Sequence, residues 1–217
     1  MKSKSLLHKT ILVVLILVGG LTFFWLVVIR ALAKLNGGEP CPYALAWLVD
    51  NPVRRRYMGP VLDRIGIRPG ERVLELGPGP GAFTVRAARR TEPGGSLVAV
   101  DIQPKMIAAL EQRVQEAGLT NVETHVASAY ELPLEDESVD RAFLVTVLPE
   151  IPDRVRALAE LFRVLKPGGI LSITEEFLDP DYPLVRTNIA WAQRAGFELA
   201  ECHGNWWVYT LNFRKPA

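Results

Sequence analysis

The sequence predicts an α/β fold: an open sheet of about seven strands with helices on both faces, closed by a C-terminal hairpin and preceded by one apolar helix. Three observations carry this. Strand-like and helix-like segments alternate from Arg72 to Glu176, a glycine-rich loop follows the first strand, and two aromatic-rich runs flank Gly204-Asn205. At 217 residues, the chain is long enough for one sizeable domain and an appendage.

The appendage comes first. Residues 1–10 form a basic flank with Lys2, Lys4 and Lys9, and the run from Ile11 to Ile29 carries no charge. At about 1.5 Å per residue this run matches the roughly 30 Å of a bilayer core, which predicts a transmembrane helix over 11–35. A cleavable signal peptide is the alternative, with Ala31-Leu32-Ala33 as its site, but the apolar run exceeds the usual signal core. Residues 36–51, with Asn36-Gly37-Gly38 and Pro40, read as a linker. The main domain spans 52–217.

Within that domain the apolar positions Val53, Tyr57, Val61, Leu62 and Ile65 recur at helical spacing around Gly59-Pro60. They predict two short helices covering a sheet edge. Residues 72–76 read as a strand, 82–90 as a helix and 96–101 as a strand. A helix then begins at Pro104 and ends at Gly118. Strands follow at 121–126, 139–147 and 169–176, with a helix over 153–165. Helices of this length between strands imply parallel pairing. Gly204-Asn205 suits a hairpin turn, so the last two strands should be antiparallel neighbours. The Leu165 to Gly169 stretch reads as a structural turn that ends a helix and leads into a strand.

Composition narrows the function. The 25 basic and 24 acidic residues give no net field for nucleic acid. Cys41 and Cys202 form no metal-ligand cluster, so no metal is expected. The loop Gly77-Pro78-Gly79-Pro80-Gly81 lets a ligand approach the backbone at the C-terminal edge of the sheet. Gly77, Gly79 and Ala82 also fit a relaxed dinucleotide spacing, with Asp101 where a ribose-binding acid belongs, so an NAD-dependent oxidoreductase is a rival reading. Glu75 separates the two. A carboxylate beside this loop repels a pyrophosphate and favours the cationic sulfonium and ammonium of S-adenosylmethionine.

The stretches VLELGPGPGAFT (73–84), VAVDIQPKMI (98–107), ASAYELPLEDESVDRAFLVTVLPEI (127–151) and RVLKPGGILSITE (163–175) together resemble class I S-adenosylmethionine-dependent methyltransferases, especially the ubiquinone and menaquinone branch. The resemblance covers Gly66 to Phe213. It implies a Rossmann-like sheet in the order 3-2-1-4-5-7-6, with the last strand antiparallel. It also implies that Glu75, Gly77, Pro78, Gly79 and Gly81 line the methionine end of the cofactor, that Asp101 takes the ribose hydroxyls, and that Ile102 packs on the adenine. The family usually has Asp where this chain has Ser128, so the adenine amino group would fall to Ser128 or to the backbone of Ala129 and Tyr130. Thr146 lies where the cofactor and acceptor pockets of the family meet.

Methyl transfer needs positioning more than catalytic apparatus, and no catalytic residue is assigned. Glu150, Glu175 and Glu176 are candidates for a base, while His125 and His203 read as structural or solvated. The apolar helix points to a lipid or small hydrophobic acceptor: quinone-like, a phospholipid amine or an alkyl thiol. Arg54, Arg55 and Arg56 read as headgroup contacts or a solvated face. Because the cofactor is cytosolic in this family, a single-pass protein with its catalytic domain in the cytoplasm is expected. A membrane-tethered cofactor-binding module without turnover is the other rival, and the Ser128 departure supports it.

Overall fold

Side-chain alternation along the strands builds two hydrophobic layers on one sheet. A computed structural model of the chain describes residues 2–24, 27 and 40–217. The strands are β1 (Arg72–Leu76), β2 (Ser96–Asp101), β3 (Val122–Val126), β4 (Val139–Val145), β5 (Leu165–Glu176), β6 (Glu198–Gly204) and β7 (Val208–Arg214), in the order β3-β2-β1-β4-β5-β7-β6. All pairs through β4–β5 are parallel; β7 is antiparallel to both β5 and β6. The sheet order and the terminal hairpin match the sequence reading.

The helices are α1 (Lys2–Phe23), α2 (Ala46–Val49), α3 (Pro52–Tyr57), α4 (Val61–Ile65), α5 (Thr84–Thr91), α6 (Pro104–Glu116), α7 (Arg154–Val164) and α8 (Val185–Arg194). Leu74, Val98, Leu144 and Ile173 face α7 and α8 through Leu158, Leu161 and Ala192. Their strand neighbours Val73, Leu97, Ala99 and Phe143 face α4, α5 and α6 through Leu62, Ala87 and Leu110. This period of two is what separates the layers. Pro104 opens α6 at its first position, and Gly118 follows its end with φ +66°.

Several expectations need correction. Among the described residues, no helix is long and apolar enough to cross a membrane. Helix α1 runs from Lys2 to Phe23, and residues 25, 26 and 28–35 of the expected span and 36–39 of the expected linker lie outside the described residues. Helix α4 covers a sheet face rather than an edge, because Val61, Leu62 and Ile65 pack with Val73, Leu97 and Phe143 from three strands. Strand β4 stops at Val145, since Thr146 turns to φ +56°. Strand β5 begins at Leu165, earlier than expected: Leu165 pairs with Val139 and the register shifts before Arg141 pairs with Ile170. Helix α8 has no counterpart in the sequence reading. Its one buried polar residue, Asn188, interrupts the apolar spacing of Val185, Ile189 and Ala192.

Candidate functional site

A cavity of about 520 Å³ opens at the C-terminal ends of β1, β2 and β4. Glu75, Gly77, Pro78, Gly79, Asp101, Ile102, Ser128, Ala129, Tyr130 and Thr146 all line it. Gly81 does not. At φ +90°, a Cβ there would lie 2.7 Å from Leu110 Cδ1, so this glycine lets the loop pack on α6. Gly77 has the same kind of constraint inside the cavity: at φ +71°, a Cβ would come within 2.5 Å of Val147 Cγ2. Gly77→Ala is therefore expected to cost about 2–3 kcal/mol of unfolding free energy, read by urea titration. An unchanged midpoint would mean that the loop relaxes freely.

Glu75 is 3 % exposed at the end of β1, and its Oε2 has no hydrogen-bond partner. Burial raises its carboxyl to about 8; the Thr84 hydroxyl opposes that rise and the neighbouring Asp101 adds to it. Asp101 braces the loop, accepting from the N–H of Gly79 at 3.2 Å (Oδ2) and of Gln103 at 2.9 Å (Oδ1). Burial pushes its carboxyl up too. Ile102 is half exposed beside it and presents an apolar face to the cavity.

On the far wall, Ser128 Oγ accepts the Tyr130 N–H at 3.2 Å. The Tyr130 hydroxyl is taken by the Asp153 N–H, and its ring stacks under Arg156, so this side chain is turned toward α7.

The base candidates separate. Glu175 is fully buried against Asn188 and lies outside the cavity lining. Glu176 is bound to Arg54 Nε and the Tyr57 hydroxyl. Glu150 does line the cavity. It accepts the Cys41 N–H at 3.3 Å, and burial, reinforced by Asp179, holds its carboxyl up at about 8. His125 and His203 pair with Glu123 and Glu201 away from the cavity, as expected.

The N-terminal segment supplies what sequence reasoning missed: Pro40, Cys41, Val49 and Arg54 all line the cavity. Arg54 is buried rather than presented to headgroups; its Nη1 donates to the Val49 carbonyl and its Nη2 to Thr146 Oγ1 at 3.1 Å. Arg55 pairs with Asp50. The overlooked signal was Asn51-Pro52, a helix start that fixes which face of the next turn points inward. Tyr209 is core, Trp206 is exposed and Trp207 lies between them.

Three carboxyls, Glu75, Asp101 and Glu150, thus face a cavity whose one buried guanidinium is already held by Glu176. A pyrophosphate would meet uncompensated acids there. A sulfonium with an ammonium group would supply the partner that Glu75 Oε2 lacks, so the residues fit S-adenosylmethionine and disfavour the dinucleotide rival.

Comparison with known proteins agrees. A family model described as a methyltransferase domain matches residues 74–173. An uncharacterized 37.1 kDa protein of a Streptomyces fradiae transposon is 35 % identical over 149 residues, 67 % of this chain and 43 % of that protein. The ubiquinone/menaquinone biosynthesis C-methyltransferase UbiE of Vibrio campbellii is 34 % identical over 137 residues, 61 % of this chain and 53 % of that one. The chain thus spans about half the length of the curated relatives it matches. The crystal structure of a SAM-dependent methyltransferase from Aquifex aeolicus superposes with a TM-score of 0.75 at 22 % identity, covering 81 % of this chain and 100 % of that one, and so shows the same fold. The match over residues 74–173 and the likenesses to these relatives together support a methyltransferase that uses S-adenosylmethionine as its cofactor.

Proposed function

We propose that the chain methylates a lipid or small hydrophobic acceptor, with a quinone-like ring as first choice and a phospholipid amine or alkyl thiol as the alternatives. The observation that carries the reading is the buried, unpartnered Glu75 Oε2 in an acidic cavity, which selects a cationic donor. The name of the UbiE relatives supports the quinone-like choice. The apolar wall formed by Val147, Ile151 and Pro152 suits a ring or an alkyl chain.

When bound, the cofactor supplies an activated methyl group. Glu75 would hold its cationic end, Asp101 its ribose hydroxyls and Ile102 its adenine face, while Ser128 and the Ala129–Tyr130 backbone would meet the adenine edge. For an acceptor that gives up a proton, Glu150 is the carboxyl on the cavity wall that can take it. We further propose that α1 holds the protein at a membrane with the catalytic domain on the cytoplasmic side. Ile11, Leu15, Ile16 and Leu21 on that helix are all exposed.

The test uses the full chain in lipid nanodiscs with methyl-labelled S-adenosylmethionine, a quinone-containing membrane extract, a phosphatidylethanolamine and an octanethiol probe. Label in the quinone fraction is the expected result. Label in the amine or thiol fraction alone would overturn the first choice, and bound cofactor without any transfer would favour a binding module.

A further inference from the structure

The segment from Tyr43 to Val53 is built inside out. Tyr43–Leu45 forms one tight turn and α2 the next, and neither buries a single residue. Trp47 is 64 % exposed, Val53 73 %, and Tyr43 and Leu48 each 43 %. Asp50 within the stretch and Arg54 just after it turn inward. The Asp50 side chain is 3 % exposed between Arg55 and Arg113, Asn51 caps α3, and Arg54 is buried on Glu176. A segment facing water has the opposite arrangement.

This surface also borders the cavity, because Val49 of the segment, with Pro40 and Cys41 just before it, forms part of the cavity wall. It continues along α3 to Tyr57, whose ring meets Trp207 at 6.4 Å, and Trp207 meets the exposed Trp206 at 5.6 Å. Exposed Arg55 and Arg56 lie within one turn of Val53. Aromatic and aliphatic side chains edged by arginine, at the mouth of a cavity, match the composition of the interfacial layer of a membrane.

We propose that this rim docks on the surface of a lipid bilayer, with Tyr43, Trp47, Leu48 and Val53 at the boundary between headgroups and acyl chains, so that the cavity opens onto lipid. The proposal rests on the reading that the acceptor is bilayer-borne. It gives that acceptor a route in which its apolar part never crosses water. Arg56 adds attraction to anionic headgroups.

The test places the fluorescent amino acid Anap at position 47, or at position 167 as a control at an exposed position near the start of β5, in the full chain. Each protein is mixed with phosphatidylcholine:phosphatidylglycerol vesicles carrying lipids doxyl-labelled at shallow or deep positions, and flotation is scored in parallel. The expected result is flotation with a blue-shifted emission at 47 that the shallow label quenches, and an unshifted, unquenched emission at 167. Flotation with a water-like emission at 47 would overturn docking and leave the α1 anchor standing. Absence of flotation would overturn both, while the nanodisc assay still reports methyl transfer separately. A blue shift at 47 before vesicles are added would place protein on this surface and overturn the lipid assignment.

Discussion

Glu75→Gln is expected to weaken S-adenosylmethionine binding by about 10- to 100-fold while making the cofactor-free protein more stable at pH 8. The first effect is the loss of a charge-assisted contact, worth about 1.5–3 kcal/mol. The second follows from linkage. The carboxyl ionises near its usual 4.5 in the unfolded chain and near 8 in the folded one. Below 4.5 both states hold the proton and burial carries no penalty. Between 4.5 and 8 the unfolded state has released the proton and the native state has not, so stability falls by at most about 1.4 kcal/mol per pH unit; above 8 the penalty is complete. Glutamine removes that slope. The same logic makes wild-type affinity rise with pH toward 8, because only the carboxylate pairs with a cation. Calorimetric titration and thermal unfolding between pH 5 and 9 read both effects. Unchanged affinity with raised stability would show that the carboxyl is buried but never meets the ligand.

That opposition of binding and stability explains why the cavity wall around Glu75 was legible in the sequence. A glycine loop and an acid that the fold would rather not bury leave a local signature, and all but one of the residues that the signature and the family resemblance together implied line the cavity. Gly81 is the exception, because the loop pattern shows that a glycine is needed without showing whether ligand or protein fills the space. The sheet was readable for a similar reason: strands covered on both faces are continuous apolar runs. What could not be read was the N-terminal wall. There the apolar spacing of Val53 and Tyr57 suggested an inward face, and the chain does the reverse, turning Arg54 in and Val53 out. Periodicity identifies an amphipathic face without saying which medium it meets. Helix α8 escaped for lack of contrast, since Asn188 occupies a fully buried position on it.

Arg54→Ala is expected to lower the unfolding free energy by about 3–5 kcal/mol, the usual cost of leaving one member of a buried ion pair alone. Arg54 Nε lies 2.5 Å from Glu176 Oε1, and both residues are 6 % exposed. Without the guanidinium, the Glu176 carboxylate keeps, among the described residues, the Tyr57 hydroxyl, whose own ionisation is already driven up by burial and by that carboxylate. The double variant Arg54→Met, Glu176→Gln removes the stranded charge and should recover much of the stability in urea titration. Cofactor affinity should not recover with it. Arg54 also ties the Val49 carbonyl on the cavity rim to Thr146, the residue held at φ +56° where β4 ends, and methionine can make neither bond. Stability restored without affinity would separate the charge balance of the pair from its role as a clasp between the N-terminal segment and the sheet. If Arg54→Ala instead changes stability by less than about 1 kcal/mol, the value of a solvated pair, then the segment does not close on the sheet as described and the cavity loses its N-terminal wall.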